Sequence, residues 1–248
     1  MVLSDLRENS QRALNVNNTW GKRCDKLLFI TSRRSFDLDV VLIPESLPET
    51  RDTLWDRVTF GFSYVYSHYG NFDWFLKADD DTYVVMENLK LFLNRYNAQD
   101  GLYFGCMFLR NRDGAGMAPL SYMSGGAGYI LSKEALRLLV KDALPRPHSI
   151  TWAEDINMAL CLKNVNVTSV DTRDSFRRPR FNPLLPTSMG LTLPKVHHDF
   201  WYYSHQYSER IEDGPNCCAE SAITFHYAVE PLMDIVEFFI YHLSPYQR

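Results

Sequence analysis

The feature that most constrains this chain is the stretch Trp74-Phe-Leu-Lys-Ala-Asp-Asp-Asp-Thr-Tyr-Val84, an apolar run that stops at three consecutive carboxylates. Three adjacent acids repel one another, so a fold that tolerates them must supply something positive where the run ends. The run belongs to an alternating series. Leu27–Thr31, Asp39–Ile43, Trp74–Leu76, Leu102–Cys106, Ala127–Leu131 and Val165–Val170 read as short strands. Between them, Leu54, Trp55, Val58, Phe62, Val65, Tyr66 and Tyr69 fall at helical spacing, with Gly70 as the stop. Glu87–Tyr96 and Lys133–Lys141 read as further helices, the second capped by Ser132 with Leu131 and Leu136 as its hydrophobic staple. Pro231 opens a C-terminal helix whose predicted apolar face is Leu232, Ile235, Val236, Phe239, Ile240 and Leu243. Strands alternating with helices predict an α/β fold with a mainly parallel central sheet flanked by helices. Ligands of such sheets gather at the carboxyl ends of the strands, and the triple aspartate sits at one of those ends.

Composition narrows the function classes. With 248 residues, 46% hydrophobic, the chain has enough material for one sizeable domain. A net charge of −4 and the absence of a long basic block argue against sequence-independent nucleic-acid binding. No apolar run reaches the ~18–20 residues that span a bilayer, and the first residues lack the apolar core of a signal peptide. The chain therefore reads as soluble, with its being the luminal part of something longer left open. Five cysteines without a CxxC, and sequons at Asn17 and Asn166, lean towards the secretory pathway.

Asp79 and Asp81 are one residue apart, and in extended backbone such residues point to one side. Two converging carboxylates suit a hard divalent cation, Mn²⁺ or Mg²⁺, which relieves their repulsion. Asp80 then points elsewhere, towards a sugar hydroxyl, and Lys77 is placed to meet a phosphate. A cation held by so few carboxylates completes its shell with substrate phosphates, so the expected ligand is a nucleoside diphosphate derivative. Neither GxxxxGK[ST] nor GxGxxG is present. Gly125 and Gly126, in Ser124-Gly-Gly-Ala-Gly128, let backbone approach a ligand, although a plain tight turn explains them equally well. Glu154-Asp155 opens a helical stretch; standing alone it is a cap, and beside a metal site it is a candidate general base. His226, in Thr224-Phe-His-Tyr227, reads as structural from its own surroundings.

Taken together and in order, WFLKADDDTYV, SYMSGGAGYILSKEAL, AEDINMALCL, DGPNCCAESAITFHY and EFFIYHLSPY, with NNTWGKRCDKLLF near the start, resemble the core 1 β1,3-galactosyltransferases (T-synthases) of glycosyltransferase family 31, which also holds the Fringe enzymes. The resemblance runs from about residue 10 to the C-terminus. It implies a GT-A-type single catalytic domain over residues 1–248, with membrane anchor and stem absent, from a type II membrane protein of the Golgi lumen. It implies inverting transfer of galactose from UDP-galactose to O3 of GalNAc-α-Ser/Thr on a glycoprotein. The same likeness makes Asp79, Asp81 and His226 the Mn²⁺ or Mg²⁺ ligands, and Asp155 the base. Lys77, Asp79, Asp80, Asp81, Gly125 and Gly126 face the donor. Glu154, Trp201, Tyr202 and Tyr203 face the acceptor, although plain core packing explains the aromatic segment about equally well.

The chain departs from that pattern in places. The family's cysteine partner for Cys24 lies upstream of the first residue, and Lys141–Ile150 lacks the cysteine expected before the Glu-Asp pair, leaving Cys161 without it; Cys217-Cys218 matches. Leu109–Pro119 and Ser204–Asp213 differ from the family and bear on acceptor identity. The sequence leaves open a family 31 transferase with another donor or acceptor, a non-catalytic chaperone-like or glycan-binding homologue, and assembly as a homodimer. The intact acids favour an enzyme.

Overall fold

The structure, a computed structural model, describes residues 1–7, 10–110, 119–145, 151–189 and 214–243. Its strands are β1 (Val2–Leu3), β2 (Phe29–Thr31), β3 (Val40–Leu42), β4 (Trp74–Asp79), β5 (Tyr83–Val84), β6 (Leu102–Gly105), β7 (Met107–Arg110), β8 (Leu120–Met123), β9 (Tyr129–Ser132), β10 (Thr168–Val170), β11 (Phe181–Asn182) and β12 (Thr224–Phe225). Its helices are α1 (Ser10–Asn18), α2 (Leu54–Tyr69), α3 (Met86–Leu93), α4 (Lys133–Leu138), α5 (Glu154–Asn164) and α6 (Leu232–Tyr241). Among the described residues no helix is long and apolar enough to cross a membrane, and no disulfide joins the cysteines.

Seven strands form the central sheet in the order β10-β6-β9-β4-β1-β2-β3. Pairings β1–β2, β1–β4, β2–β3 and β6–β10 are parallel, whereas β9 runs against both β4 and β6. The mainly parallel α/β sheet is thus present, with one reversed strand. Its reversal has a local cause. The chain leaves β6 at Gly105, makes the β7–β8 hairpin, and re-enters beside Gly105 at Tyr129. Entering from the edge it had just left, β9 must run backwards. A second sheet, β11-β12-β5, places the end of β12 beside the turn that follows β4.

Apolar periodicity built the core as expected. Trp55, Val58, Phe62 and Val65 of α2 are buried, and Phe62 stacks on Tyr129 of β9 at 6.1 Å between ring centres. Each such side chain contributes roughly 1.5–3 kcal/mol of burial. Ser132 caps α4 by accepting a hydrogen bond from the Ala135 amide at 3.1 Å, after which Leu139–Ala143 continues as a wider π turn. Gly70 ends α2 in a right-handed conformation, and it is glycine for lack of room: a Cβ would lie 2.6 Å from the Tyr66 carbonyl oxygen.

The C-terminal helix corrects the sequence reading. Ile235, Phe239, Ile240 and Leu243 of the predicted apolar face are exposed, Phe239 by 59%. Instead α6 buries Met233 and Glu237. Glu237 receives two hydrogen bonds from Arg23, at 2.7 and 3.1 Å, and one from the Tyr83 hydroxyl at 2.8 Å. Lys22 stands 3.2 Å away. A charged cluster, and not an apolar stripe, fixes this helix to the body.

Glu237→Ala removes the acceptor of the Tyr83 hydroxyl and of two Arg23 bonds, leaving Arg23 the Thr19 carbonyl at 3.0 Å and Glu87 at 3.7 Å among the described residues. Urea denaturation is expected to show a loss of about 3 kcal/mol, against under about 0.5 kcal/mol for exposed Ile235→Ala.

Candidate functional site

Three strand ends meet at one edge of the molecule. β4 finishes at Asp79, β1 at Leu3, and β12 at Phe225. The chain does not stay extended through the aspartates. It turns after Asp79, with the Thr82 amide donating to the Asp79 carbonyl at 3.2 Å. Asp79 and Asp81 therefore converge across a turn and not by strand alternation, which corrects the geometry expected from their spacing. Their carboxylates and the His226 ring each offer one ligand atom within 4.8 Å of the others. His226 Nε2 lies 3.2 Å from Asp81 Oδ1, and its Nδ1 lies 3.3 Å from the Pro183 carbonyl. With Nδ1 turned to that carbonyl, Nε2 is the ring nitrogen that faces the acids, the orientation a metal-binding imidazole needs. Two hard oxygens and one imidazole fit a divalent cation. Burial raises the Asp81 pKa, but the hydrogen bond with His226 outweighs it and leaves the carboxyl below the usual carboxylate value.

Asp80 turns away from this group. It accepts a hydrogen bond from Ser4 Oγ at 2.7 Å, and Arg12 approaches its other oxygen at 3.8 Å. Burial, with the neighbouring aspartates adding to it, pushes its carboxyl up to about 6. A short β1 was invisible to periodicity, so its tie to Asp80 was as well.

Lys77 is the positive charge that the acids need. Only 1% exposed, its ammonium lies 2.7 Å from Asp79 Oδ1, 3.2 Å from the Gly125 carbonyl and 4.0 Å from Glu154 Oε2. Burial works against its charge, but Asp79 and Glu154 more than offset this and raise its pKa above that of a free lysine. The amino end of α5 packs here. Asp155 accepts from the Gly125 amide at 3.2 Å and from the Ile156 amide at 2.9 Å. Burial nevertheless raises its pKa. Glu154 accepts from the Tyr129 hydroxyl, and burial pushes it up to about 7 against the pull of Lys77.

The glycines are there because nothing larger fits. A Cβ on Gly126 would stand 2.2 Å from His226 Cε1, and one on Gly125 would stand 3.1 Å from Glu154 Oε2. Thr82 Oγ1 donates to the Gly126 carbonyl at 2.9 Å and Thr224 Oγ1 to the Ala127 carbonyl at 2.6 Å, pinning the turn between β4 and β12.

These groups line one open cleft of about 740 Å³, shared by Lys77, Asp79, Gly125, Gly126, Glu154, Asp155 and His226. Its other wall is Glu49–Arg51, Leu54 and Arg57, with Tyr122, Trp152 and Tyr227. Sequence reading missed that wall. One signal was available: Arg57 interrupts the buried stripe of α2, between Trp55, Val58 and Gly61. Trp201, Tyr202 and Tyr203 lie outside the described residues.

The fold and this donor set define an α/β protein whose strand-end cleft is compatible with a divalent cation and, beside it, a buried carboxylate. Residues 9–192 match the Fringe-like family, and the chain belongs to it. It is 38% identical over 236 residues to glycoprotein-N-acetylgalactosamine 3-beta-galactosyltransferase 1 of Xenopus laevis, covering 94% of this chain and 62% of that protein. It is 26% identical over 243 residues to chondroitin sulfate synthase 3 of Mus musculus, covering 91% of this chain and 25% of that protein. A solved galactosyltransferase, LgtC in complex with donor and acceptor sugar analogs, aligns over 92% of this chain and 86% of its own with a TM-score of 0.47 and 14% identity.

Gly126→Ala drives a methyl group into the His226 ring and is expected to weaken Mn²⁺-dependent UDP binding at least ~10-fold, measured by calorimetry. Glu154 gives a pH signature. Its carboxyl titrates near about 7 folded and about 4.3 unfolded, so the folded chain holds the proton more tightly. The stability it contributes is full below the unfolded value and falls as pH rises through about 7. Between about pH 5 and pH 8 the wild type should lose about 1–3 kcal/mol relative to Glu154→Gln, measured by urea denaturation of both.

Proposed function

We propose that this chain is an inverting, UDP-galactose-dependent β1,3-galactosyltransferase acting on O3 of GalNAc-α-Ser/Thr. One observation carries the reading: Asp79 and His226, which group with Asp81, and the half-buried Asp155 line the same cleft. The 38% identity to the frog galactosyltransferase supports the donor and acceptor. Asp79, Asp81 and His226 hold Mn²⁺ or Mg²⁺, which when bound supplies charge neutralisation at the departing diphosphate. Lys77 donates to Asp79 and holds its carboxylate in place. Gly125 and Gly126 shape the donor side, and Glu154 borders the acceptor; Asp80, turned against Ser4, supports the turn from behind.

Asp155 acts as general base. The Gly125 amide, at 3.2 Å, fixes one of its oxygens beside the glycine turn. Burial raises its proton affinity and so matches it better to an alcohol proton near neutral pH. As the acceptor O3 attacks the anomeric carbon, its proton passes to Asp155 and the sugar–phosphate bond breaks on the opposite face. A single displacement of this kind inverts the anomeric centre and uses no protein nucleophile. In this reading the chain is one catalytic domain of a Golgi-luminal type II membrane protein, and a GalNAc-bearing glycoprotein is its partner.

Incubation with a GalNAc-α-peptide and labelled UDP-galactose, UDP-GlcNAc or UDP-glucose is expected to give β1,3-galactosyl product from UDP-galactose alone; no transfer from any donor overturns the assignment. Asp155→Asn is expected to lower kcat at least ~10³-fold, leaving Mn²⁺-dependent UDP binding within about twofold of wild type. Retained transfer removes Asp155 from the base role.

A further inference from the structure

The cleft contains a second buried cation, and its surroundings differ from those of Lys77. Arg57 is 8% exposed and lines the same cleft as Asp79. A guanidinium offers five N–H donors. Among the described residues one bond is made, from Nη2 to the Thr50 carbonyl at 3.1 Å, and Nε is buried without a partner. Burial lowers its pKa, while Glu49, Asp5 and Asp79 pull the other way from beyond ion-pair distance. Those acids are engaged elsewhere. Glu49 accepts from the Ser32 amide and hydroxyl, both at 2.8 Å, Asp5 accepts from the Arg7 amide at 3.0 Å, and Asp79 pairs with Lys77.

Burying a charge without an ion partner is costly, and natural structures keep such a group where an anion arrives to meet it. Lys77 cannot serve as freely, because its ammonium already faces Asp79, the Gly125 carbonyl and Glu154. From this contrast we infer that Arg57 is the donor-diphosphate clamp of the cleft. Resting on the transferase reading, the inference assigns to Arg57 the phosphate contact that sequence reasoning gave to Lys77. The planar guanidinium suits two non-bridging phosphate oxygens at once, and Arg57 lines the same cleft as Asp79 and His226. A diphosphate held at the Asp79, Asp81 and His226 group therefore shares its cleft with Arg57.

The test compares wild type, Arg57→Met and Arg57→Lys by calorimetry in Mn²⁺, with UDP, inorganic pyrophosphate and uridine as probes. Arg57→Met is expected to weaken UDP and pyrophosphate at least ~10-fold and leave uridine within about twofold, with Arg57→Lys in between. In thermal unfolding without ligand, Arg57→Met is expected to melt at or above the wild-type temperature, since it removes an unpaired buried charge. Unchanged UDP affinity in Arg57→Met, or an equal loss for UDP and uridine, overturns the clamp while the transferase reading stands. Wild-type protein that binds neither UDP nor pyrophosphate in Mn²⁺ overturns the transferase reading, and the clamp with it.

Discussion

The buried ammonium of Lys77 is the interaction on which this site depends. Asp79, Glu154 and Asp155 come from two distant parts of the chain and line one cleft, with Asp81 beside Asp79. Without an internal cation their mutual repulsion would push the α5 terminus away from β4. Lys77 lies on the strand that carries Asp79, bonds the turn that carries Gly125, and stands near Glu154 on the helix. One side chain thus ties strand, turn and helix together. A lysine this deeply buried stays charged only because acids surround it, and the acids tolerate one another partly because it is there.

Division of labour among the acids follows from environment and not from residue type. Asp81 faces His226 and stays strongly acidic. Asp80 is turned into the body against Ser4, where burial makes it a weaker acid. Asp155 receives two backbone amides yet still titrates high. Glu154 is enclosed against Tyr129, where burial pushes its carboxyl up to about 7. In the proposed reaction, a carboxylate of low proton affinity suits the cation and one of raised proton affinity suits the alcohol proton. The Gly125-Gly126 pair sets the spacing between these two halves, since any side chain there meets His226 or Glu154.

Much of this was legible in the residues. The helix α2 and the strands β2, β3, β4 and β6 followed from apolar periodicity, because their buried faces demand it. The joint placement of Asp79, Asp81 and His226 came from family likeness, since a histidine between two aromatics carries no signal of its own. β1 was missed because two residues give no period, although it lies between β4 and β2. α6 was misjudged because a helical stripe of apolar residues normally marks the buried side, and here the Glu237 cluster overrides it.

The sequence by itself determined the α/β alternation, the strand end at which the acids gather, and the residue types able to hold a cation and accept a proton. These are local or periodic properties, written within a few residues of one another. Only the tertiary structure decided that β9 runs backwards, that Lys77 is spent on internal acids, and that Arg57 stands buried with donors unused. Each depends on which segments meet across long stretches of chain, and no local pattern encodes what a side chain will find opposite it.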